Sequence, residues 1–367
     1  MKLFYSSSYV VARHSSDTTR KAAWIADSLR ASPIAGIEME APDPLTAEKL
    51  EKVHEPGYVR AIRRGQPPEL AGSSGLDWDP KVWPMALATN GGVAAAALAA
   101  LRDGVAGSLS SGLHHARHDR GEGYCTFNGL MLAARAALFA GARAVLILDF
   151  DAHCGGGTRS LIGNDAAIQQ ADVAVASFDA YRGSAKQTLD FVRRADSYLP
   201  AIEARLRRLE EAWPAFDLCL YNAGMDPYEG CDLGGLRGIT ESMLERREQL
   251  VFDWCGRQNI PVAFVLAGGY TGERLDRDTL VGLHRLTLLG AMRLQPDGPP
   301  ARPPRSSLTW ISPKLDRRLE RVTNSPTIRA AGLGRWQELV ASAAQAKEWE
   351  YLPSCYQDLV VRAEQDV

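Results

Sequence analysis

Several features are scarce or missing in this sequence, and each absence excludes a class of protein. The 367 residues include six cysteines but no Cys-x-x-Cys pair, which argues against a dense disulfide framework. The formal net charge is only −2, which argues against a nucleic-acid partner and an anionic membrane surface. The longest apolar run, GGVAAAALAAL, is too short and too rich in alanine to span a bilayer. Serines at 6–8 interrupt what would be the apolar core of a signal peptide. We therefore expect a reduced, cytoplasmic protein.

What is present is an alternation of short apolar runs and longer helical patterns. Most of the runs are continuously apolar, as expected for strands of a parallel sheet that is covered on both faces. Asp17 and Thr240 stand where helix N-caps are expected. This alternation predicts an α/β fold, an open, doubly wound, mostly parallel sheet with helices on both faces. The predicted strands are 1–6, 106–111, 144–150, 173–178, 216–222 and 262–268, and the predicted helices are 17–31, 80–103, 127–140, 188–211, 240–258 and 273–294.

The composition of the sequence changes after residue 295, where proline becomes frequent. Residues 296–307, PDGPPARPPRSS, are typical of an extended, solvated linker. We predict a working domain over 1–295 and a helical appendage over 308–367. The appendage would pack on the body or on a neighbouring subunit, so a homodimer or homotetramer is compatible with the sequence. The helix-like patterns in this tail lie near 314–323, 333–347 and 354–364.

Chemically versatile side chains follow four of the apolar runs. In open α/β sheets, ligands bind beyond the carboxyl ends of the strands, so these residues are the candidate site. The runs at 106–111, 144–150, 216–222 and 262–268 are followed, in order, by His114-His115, by Asp151-x-His153, by Asp226 and by Gly269-Tyr270. We expect these imidazoles, carboxylates and phenol to meet at one edge of the sheet.

This set of side chains suits metal-assisted hydrolysis of an amide. Two carboxylates and one imidazole fit a zinc ion that keeps open coordination positions. Zinc lowers the pKa of a bound water to about 7 and polarises a carbonyl oxygen. A neutral histidine can take the proton of the attacking water. A tyrosine hydroxyl can donate to the oxyanion, a contact worth about 3–4 kcal/mol in comparable sites.

The motifs HHA…GYCTFN, DFDAHCGGGT, AGMDP…CDLGGLRGIT and AGGY resemble those of the zinc-dependent histone deacetylase family, which includes acetylpolyamine amidohydrolases and acetoin-utilisation proteins. The likeness covers about 1–295. It implies that Asp151, His153 and Asp226 bind zinc, that His114 and His115 are paired acid–base histidines, and that Tyr270 polarises the carbonyl. It also implies that Asp149 orients His114 and holds a structural potassium ion with Ser177, Phe178 and the backbone oxygens of Asp151 and His153.

The resemblance also implies where the substrate lies. Gly123 and Tyr124 would line the acyl tunnel, with Gly268 and Gly269 beside the reacting group. Arg20 falls where the family keeps an arginine near the inner end of the pocket. Asp77 and Asp79, in GLDWDP, are either rim residues that hold the substrate or solvated loop residues.

The sequence departs from the family pattern in two loops. The family usually continues DxHHGNGT, in which an Asn or Asp steadies the second histidine, whereas here Gly156 occupies that position and Cys154 replaces a histidine. We therefore expect water or backbone to orient His115. The usual SxH strand end is SFD, with Asp179 in place of histidine, and the YPGTG that commonly follows is missing. An atypical substrate is expected, since this loop borders the substrate mouth.

Three functions remain open at this point. The first is a zinc-dependent amidohydrolase that acts on a small N-acyl amine or on acetyl-lysine. The second is a non-catalytic binder of acyl ligands on the same scaffold, for which Gly156 is the support. The third is an arginase-like ureohydrolase, which needs an acid for a second metal at the position of Gly155.

Overall fold

The computed structural model describes residues 1–294 apart from 13, 15 and 213–215, and in the tail residues 318, 319, 321–323, 325–346, 349 and 352–366. The chain divides into two units, Met1–Ala137 with Ala144–Ala301, and Leu138–Arg143 with Arg302–Val367. The predicted linker at 296–307 lies outside the described residues, so its extent stays a prediction.

The first unit is built on one sheet of eight strands: β1 (Lys2–Phe4), β2 (Glu38–Glu40), β3 (Val105–Ser108), β4 (Val145–Asp149), β5 (Ile168–Ala174), β6 (Gln187–Phe191), β7 (Leu218–Gly224) and β8 (Val262–Ala267). Their order is β2-β1-β3-β8-β7-β4-β5-β6, and every pairing between them is parallel. The central strands β4, β7 and β8 are buried at every residue. The predicted fold class, an open parallel sheet covered by helices, is confirmed.

In the part of the chain that the structure describes, ten α-helices lie between or after these strands: α1 (Lys21–Ala31), α2 (Ala47–Leu50), α3 (Pro56–Arg64), α4 (Pro68–Ala71), α5 (Val82–Asp103), α6 (Gly129–Phe139), α7 (Gly156–Ile162), α8 (Tyr198–Ala212), α9 (Glu241–Gln258) and α10 (Arg277–Met292). Helix α9 begins at the predicted cap, because Thr240 Oγ1 accepts from the N–H of Met243. It ends where Asn259 adopts a left-handed conformation.

Three strands were mispredicted or missed, each for a physical reason. Strand β5 begins at Ile168 rather than 173, because buried Gln169, Gln170 and Asp172 interrupt its apolar run. Strand β6 occupies the first part of the predicted helix 188–211, and only its continuation at Tyr198–Ala212 is helical. Both β6 and β2 lie at edges of the sheet, where a strand has one neighbour and lacks the continuous apolar pattern of the centre.

The longest apolar segment is longer than the sequence predicted, because the run GGVAAAALAAL is part of the 22-residue helix α5. Among the described helices it is the one that is long and apolar enough to cross a membrane, but 67% of its most apolar window is buried. Burial inside the first unit is a sufficient reason for that composition. The predicted start of α1 is also corrected, because Asp17–Thr19 form a 3₁₀ turn before the helix begins at Lys21.

The second unit contains helices α11 (Pro326–Ala346) and α12 (Ser354–Glu364). They have a core of their own, which includes Trp336, Leu339 and Val360. The helix predicted at 354–364 has the predicted bounds. The helix predicted at 333–347 overlaps α11 as far as Ala346, and the helical geometry of α11 is interrupted at Gly332. Half of the helix predicted at 314–323 lies outside the described residues, namely 314–317 and 320.

Candidate active site

The candidate site lies at the carboxyl edge of the sheet, beyond five strands that are adjacent in the order β3-β8-β7-β4-β5. Parallel strands present their carboxyl ends at the same edge, so residues that are far apart in the sequence meet there. The side chains delivered by these five strands are, in the same order, His114 and His115, Tyr270, Asp226, Asp151 and His153, and Asp179.

Asp151, His153 and Asp226 form the cluster of the described residues that could hold a metal ion. One ligand atom from each lies within 4.8 Å of the others. His153 Nδ1 is 3.1 Å from Asp151 Oδ1 and 3.0 Å from Asp226 Oδ2. Asp226 Oδ2 is buried, and apart from its contact with His153 Nδ1 it accepts no well-aligned hydrogen bond from the described residues. A carboxylate oxygen is costly to bury without such a hydrogen bond, so the donor set fits a bound divalent cation.

The pKa values in this cluster are shifted because two carboxylates, Asp151 and Asp226, are buried close together. Burial alone would lower the pKa of His153, but contacts with Asp151 and Asp226 raise it to about 11. Burial and the charge of Asp151 raise the pKa of Asp226 to about 6. A divalent cation would neutralise this charge and compete with the proton for the imidazole.

Glycines allow the backbone to approach the cluster closely. Gly268 adopts φ +52, and a Cβ at this position would lie 2.2 Å from Asp226 Oδ1 and 2.7 Å from Asp151 Oδ2. Both the conformation and the space therefore require glycine. Gly268 begins the sharp turn, continued by Gly269 at φ +78, that leads from β8 to Tyr270.

His114 is held by a buried carboxylate. Its Nδ1 donates to Asp149 Oδ2 at 2.7 Å, and Asn222 Nδ2 donates to Asp149 Oδ1 at 2.8 Å. Its Nε2 lies 3.7 Å from Asp151 Oδ1. Burial alone would lower the pKa of His114, but Asp149 and Asp151 raise it to about 10. The structure thus places Asp149 behind His114, as the resemblance implies.

His115 has a carboxylate partner that the sequence reading did not foresee. Its Nδ1 donates to Asp179 Oδ2 at 2.9 Å, so the expectation that water or backbone orients this imidazole is wrong. The two imidazole rings of His114 and His115 are in contact, with centroids 3.9 Å apart. Burial and the charge of His114 lower the pKa of His115 to about 4. The surroundings thus favour the charged form of His114 and the neutral form of His115.

The loop that carries Tyr270 is tied to the segment before and within the first turn of α1. Asp17 Oδ2 accepts from both the N–H and the hydroxyl of Thr271, at 2.6 and 2.7 Å. The buried Lys21 ammonium donates to the carbonyl of Gly268. Burial and the charges of Asp226 and Asp151 raise the pKa of Tyr270, so its hydroxyl stays protonated near neutral pH.

Arg20 lies elsewhere than the resemblance implies. Its side chain is 41% exposed and pairs with Asp17, while its guanidinium lies over the ring of Trp24. Lys21 is the cation of this segment that reaches the β8 turn. Arg20 and Lys21 are adjacent, so a shift of one residue where the 3₁₀ turn passes into α1 is enough to decide which of the two cations is buried.

The mouth of the site is lined by exposed aromatic side chains. Tyr124 is 38% exposed and Phe178 is 47% exposed. The Phe178 ring packs edge-on against His115, and a Cβ at Gly123 would lie 3.0 Å from this ring. Asp77 is exposed on the loop whose Gly75 faces Tyr124, which keeps it a candidate for the rim. Asp79 instead accepts from the N–H of Lys81 at the start of α5.

The expected potassium site stays a prediction. The carbonyl of Phe178 accepts from the N–H of Cys154, and Ser177 is exposed. Cys154 is fully buried, and its thiol lies 3.5 Å from the carbonyl of Ala176. Asp172, missed by the sequence reading, lies near Asp149, and burial with that charge raises its pKa.

A buried ion pair on α9 supports the strand ends that carry Asp151 and Asp226. Arg247 Nη1 donates to the carbonyls of Gly224 at 2.6 Å and Phe150 at 3.1 Å, and Arg247 Nη2 lies 2.6 Å from Glu248 Oε1. No pattern in the sequence indicated this role, since arginine and glutamate on a helix usually face solvent.

Comparisons with known proteins agree with this site. The model of the histone deacetylase domain family matches residues 14–285. An uncharacterized protein of Picosynechococcus sp. is 34% identical over 60% of this chain and 75% of its own length. Acetylpolyamine amidohydrolase 2 of Pseudomonas aeruginosa is 24% identical over 65% of this chain and 82% of its own. The crystal structure of the acetylpolyamine aminohydrolase from Burkholderia pseudomallei has a TM-score of 0.67 at 19% identity, over 80% of this chain and 99% of that one.

Proposed function

This chain belongs to the histone deacetylase family, and we propose that it is a zinc-dependent amidohydrolase that removes an acetyl or other acyl group from an N-acylated amine. Membership of the family supports hydrolysis of acylated amines in general. The observation that carries the proposal is the convergence of three ligand side chains, two histidines with separate carboxylate partners, and one tyrosine at a single sheet edge.

We assign the zinc ligands as Asp151, His153 and Asp226. Two carboxylates and one imidazole are the donors of an open catalytic site, and the buried Asp226 Oδ2, which accepts no well-aligned hydrogen bond among the described residues, supports a cation there. When bound, zinc supplies a water of lowered pKa and a Lewis acid for the acyl carbonyl. Potassium at Asp149, with Ser177 and Phe178, is a further part of the proposal that the family resemblance supports.

The chain's own groups have three tasks in the reaction. His115 is neutral, so its Nε2 can accept the proton of the attacking water and later pass it to the leaving amine. The Tyr270 hydroxyl remains protonated and can donate to the oxygen that gains charge. His114, charged next to Asp149, places positive charge beside the reacting centre.

The two alternatives lose their support. The case for a non-catalytic binder rested on Gly156, which left His115 without a partner, but Asp179 supplies one. An arginase-like reaction needs a second metal, and Gly155 has no side chain to bind one, while its N–H donates to Asp172 and its carbonyl accepts from Gln170. Among the described residues, the cluster of Asp151, His153 and Asp226 is the one that could hold a metal.

The substrate is addressed by an acetate-release screen. Acetylated polyamines, acetyl-lysine peptides and small N-acyl metabolites should be compared at equal concentration, with the zinc content of the protein measured alongside. We expect release from at least one class at a stoichiometry of one zinc per chain. Binding of all three classes without acetate release would instead favour the non-catalytic binder, and two metals per chain would favour the ureohydrolase.

Tyr270→Phe tests the assignment of the oxyanion donor. The substitution removes one hydroxyl and should lower kcat by about 100–1000-fold, the usual cost of losing one such donor. Zinc content should remain unchanged, because Tyr270 is not among the ligands. Tyr5→Phe is the matched control, since Tyr5 packs against Tyr9 near the start of the chain. Full activity in Tyr270→Phe would refute the assigned role.

A further inference from the structure

The carboxylate that partners His115 comes from the segment after β5, not from the loop that carries the metal ligands. Asp179 is 64 residues away from His115 in the sequence, and its side chain is 1% exposed. Three donors from two segments hold it: His115 Nδ1 at 2.9 Å and the guanidinium of Arg117 from the loop after β3, and the N–H of Gly157 at 2.9 Å from α7. A carboxylate held by three donors is fixed in position.

Gly156 makes room for this carboxylate. A Cβ at residue 156 would lie 2.2 Å from Asp179 Oδ1 and 2.3 Å from the Asp179 carbonyl oxygen. Real Cβ atoms do not approach oxygen so closely, so any side chain at 156 would displace Asp179. Asp179 itself adopts φ +58, a conformation that Asp tolerates better than most residues. The Asp179 carboxylate can therefore occupy this position only because residue 156 has no side chain.

The surroundings of Asp179 differ from those of Asp149. Asp149 lies near Asp151 and Asp172 and is bonded by the neutral amide of Asn222. Asp179 is instead paired with Arg117, whose guanidinium also binds Glu122 at 2.7 Å. The guanidinium and the N–H of Gly157 engage Asp179 and leave the lone pair next to His115 as an acceptor for Nδ1–H.

We propose that Asp179 is the positioning residue of His115 and that Gly156 is required to admit it. The hydrogen bond fixes the tautomer with a proton on Nδ1, so that Nε2 faces the reaction as an acceptor. Asp179 acts through His115 and touches no reacting atom. This inference rests on the proposed amidohydrolase function for its kinetic consequence, but the tautomer can be measured without turnover.

The kinetic test uses Asp179→Ala, Asp179→Asn and Gly156→Ala in the zinc-loaded full chain. Asp179→Ala should lower kcat by at least about 100-fold, the lower range of a general base's contribution, with KM and zinc content unchanged. Asp179→Asn keeps an acceptor oxygen and should recover part of that loss. Gly156→Ala removes no functional group, yet it should lower kcat as Asp179→Ala does. Gly282→Ala is its control, since a Cβ there has no neighbour within 4 Å.

The second readout is the ¹⁵N chemical shift of the His115 ring nitrogens in selectively labelled protein. We expect Nδ1 protonated and Nε2 unprotonated in the native chain, and a mixture of tautomers in Asp179→Ala. An unchanged tautomer in Asp179→Ala, or a native-like kcat in a folded Asp179→Ala or Gly156→Ala variant, would overturn the inference. If the native chain shows the expected tautomer and its loss in Asp179→Ala but hydrolyses no acylated amine, the proposed function fails while the positioning role stands.

Discussion

Replacing Arg247 by methionine should destabilise the protein by removing the cation from a buried ion pair. The guanidinium is fully buried and bonds Glu248, Tyr198 and the carbonyls of Phe150 and Gly224. Methionine has a similar length and fills much of the same volume, so the cavity left behind is small. What remains is the Glu248 carboxylate, which keeps only the hydroxyl of Tyr221 as a donor among the described residues.

The expected loss is about 3–5 kcal/mol in the free energy of unfolding, the usual cost of leaving one member of a buried pair without its partner. Urea unfolding monitored by tryptophan fluorescence measures it, because Trp254 is buried on the same helix. The loss should extend to the site. Phe150 directly precedes Asp151, and Gly224 lies two residues before Asp226, so zinc affinity should fall as well.

Two further variants separate the charge from the packing. Arg246→Met changes an exposed neighbour on the same helix and should alter stability by less than about 0.5 kcal/mol. Arg247→Met/Glu248→Leu removes both charges and should recover most of the loss, since an apolar pair of similar volume is often as stable as the ion pair. A single Arg247→Met variant within 1 kcal/mol of the native chain would refute the reasoning.

Two other predictions concern the backbone at the site and a buried histidine beside it. Gly268→Ala should reduce zinc content to well below one ion per chain, because its Cβ would lie 2.2 Å from Asp226 Oδ1, whereas Gly104→Ala, with φ +84 and no neighbour within 4 Å, should keep its zinc. Burial lowers the pKa of His54 to about 4, so its neutral form is stable in the fold and protonation on acidification opposes folding. The native chain should therefore lose about 3 kcal/mol more stability than His54→Gln between pH 6.5 and pH 4, and equal losses would contradict this role.

The sequence allowed the centre of the sheet to be predicted, but not its edges. Strands β4, β7 and β8 are buried on both faces, and burial of that kind leaves a continuous apolar run. Strand β5 is equally buried but contains Gln169, Gln170 and Asp172, whose polar groups find partners in the fold that no local pattern reveals. Edge strand β6 is defined by its pairing with β5, so its own residues carry little signal.

In the site, too, contacts between residues close in the sequence could be predicted, whereas contacts between distant segments could not. Asp151 and His153 stand next to each other on one strand end, so their meeting follows from the sequence. The partner of His115 could not be predicted from the sequence, because Asp179 reaches His115 from a segment 64 residues away. Only the three-dimensional fold shows that Gly156 leaves space for the Asp179 carboxylate. Lys21 was missed for a similar reason, since which of two adjacent cations is buried depends on where a 3₁₀ turn passes into a helix.

The anchoring of Tyr270 to Asp17 and Lys21 links the two ends of the working domain across roughly 250 residues of chain. Asp151, His153 and Asp226 lie on strands β4 and β7 and do not use that link. Under the proposed function, damage confined to this link, as in Asp17→Ala, would misplace the Tyr270 hydroxyl without removing a zinc ligand, and so would separate retention of the metal from turnover of the substrate.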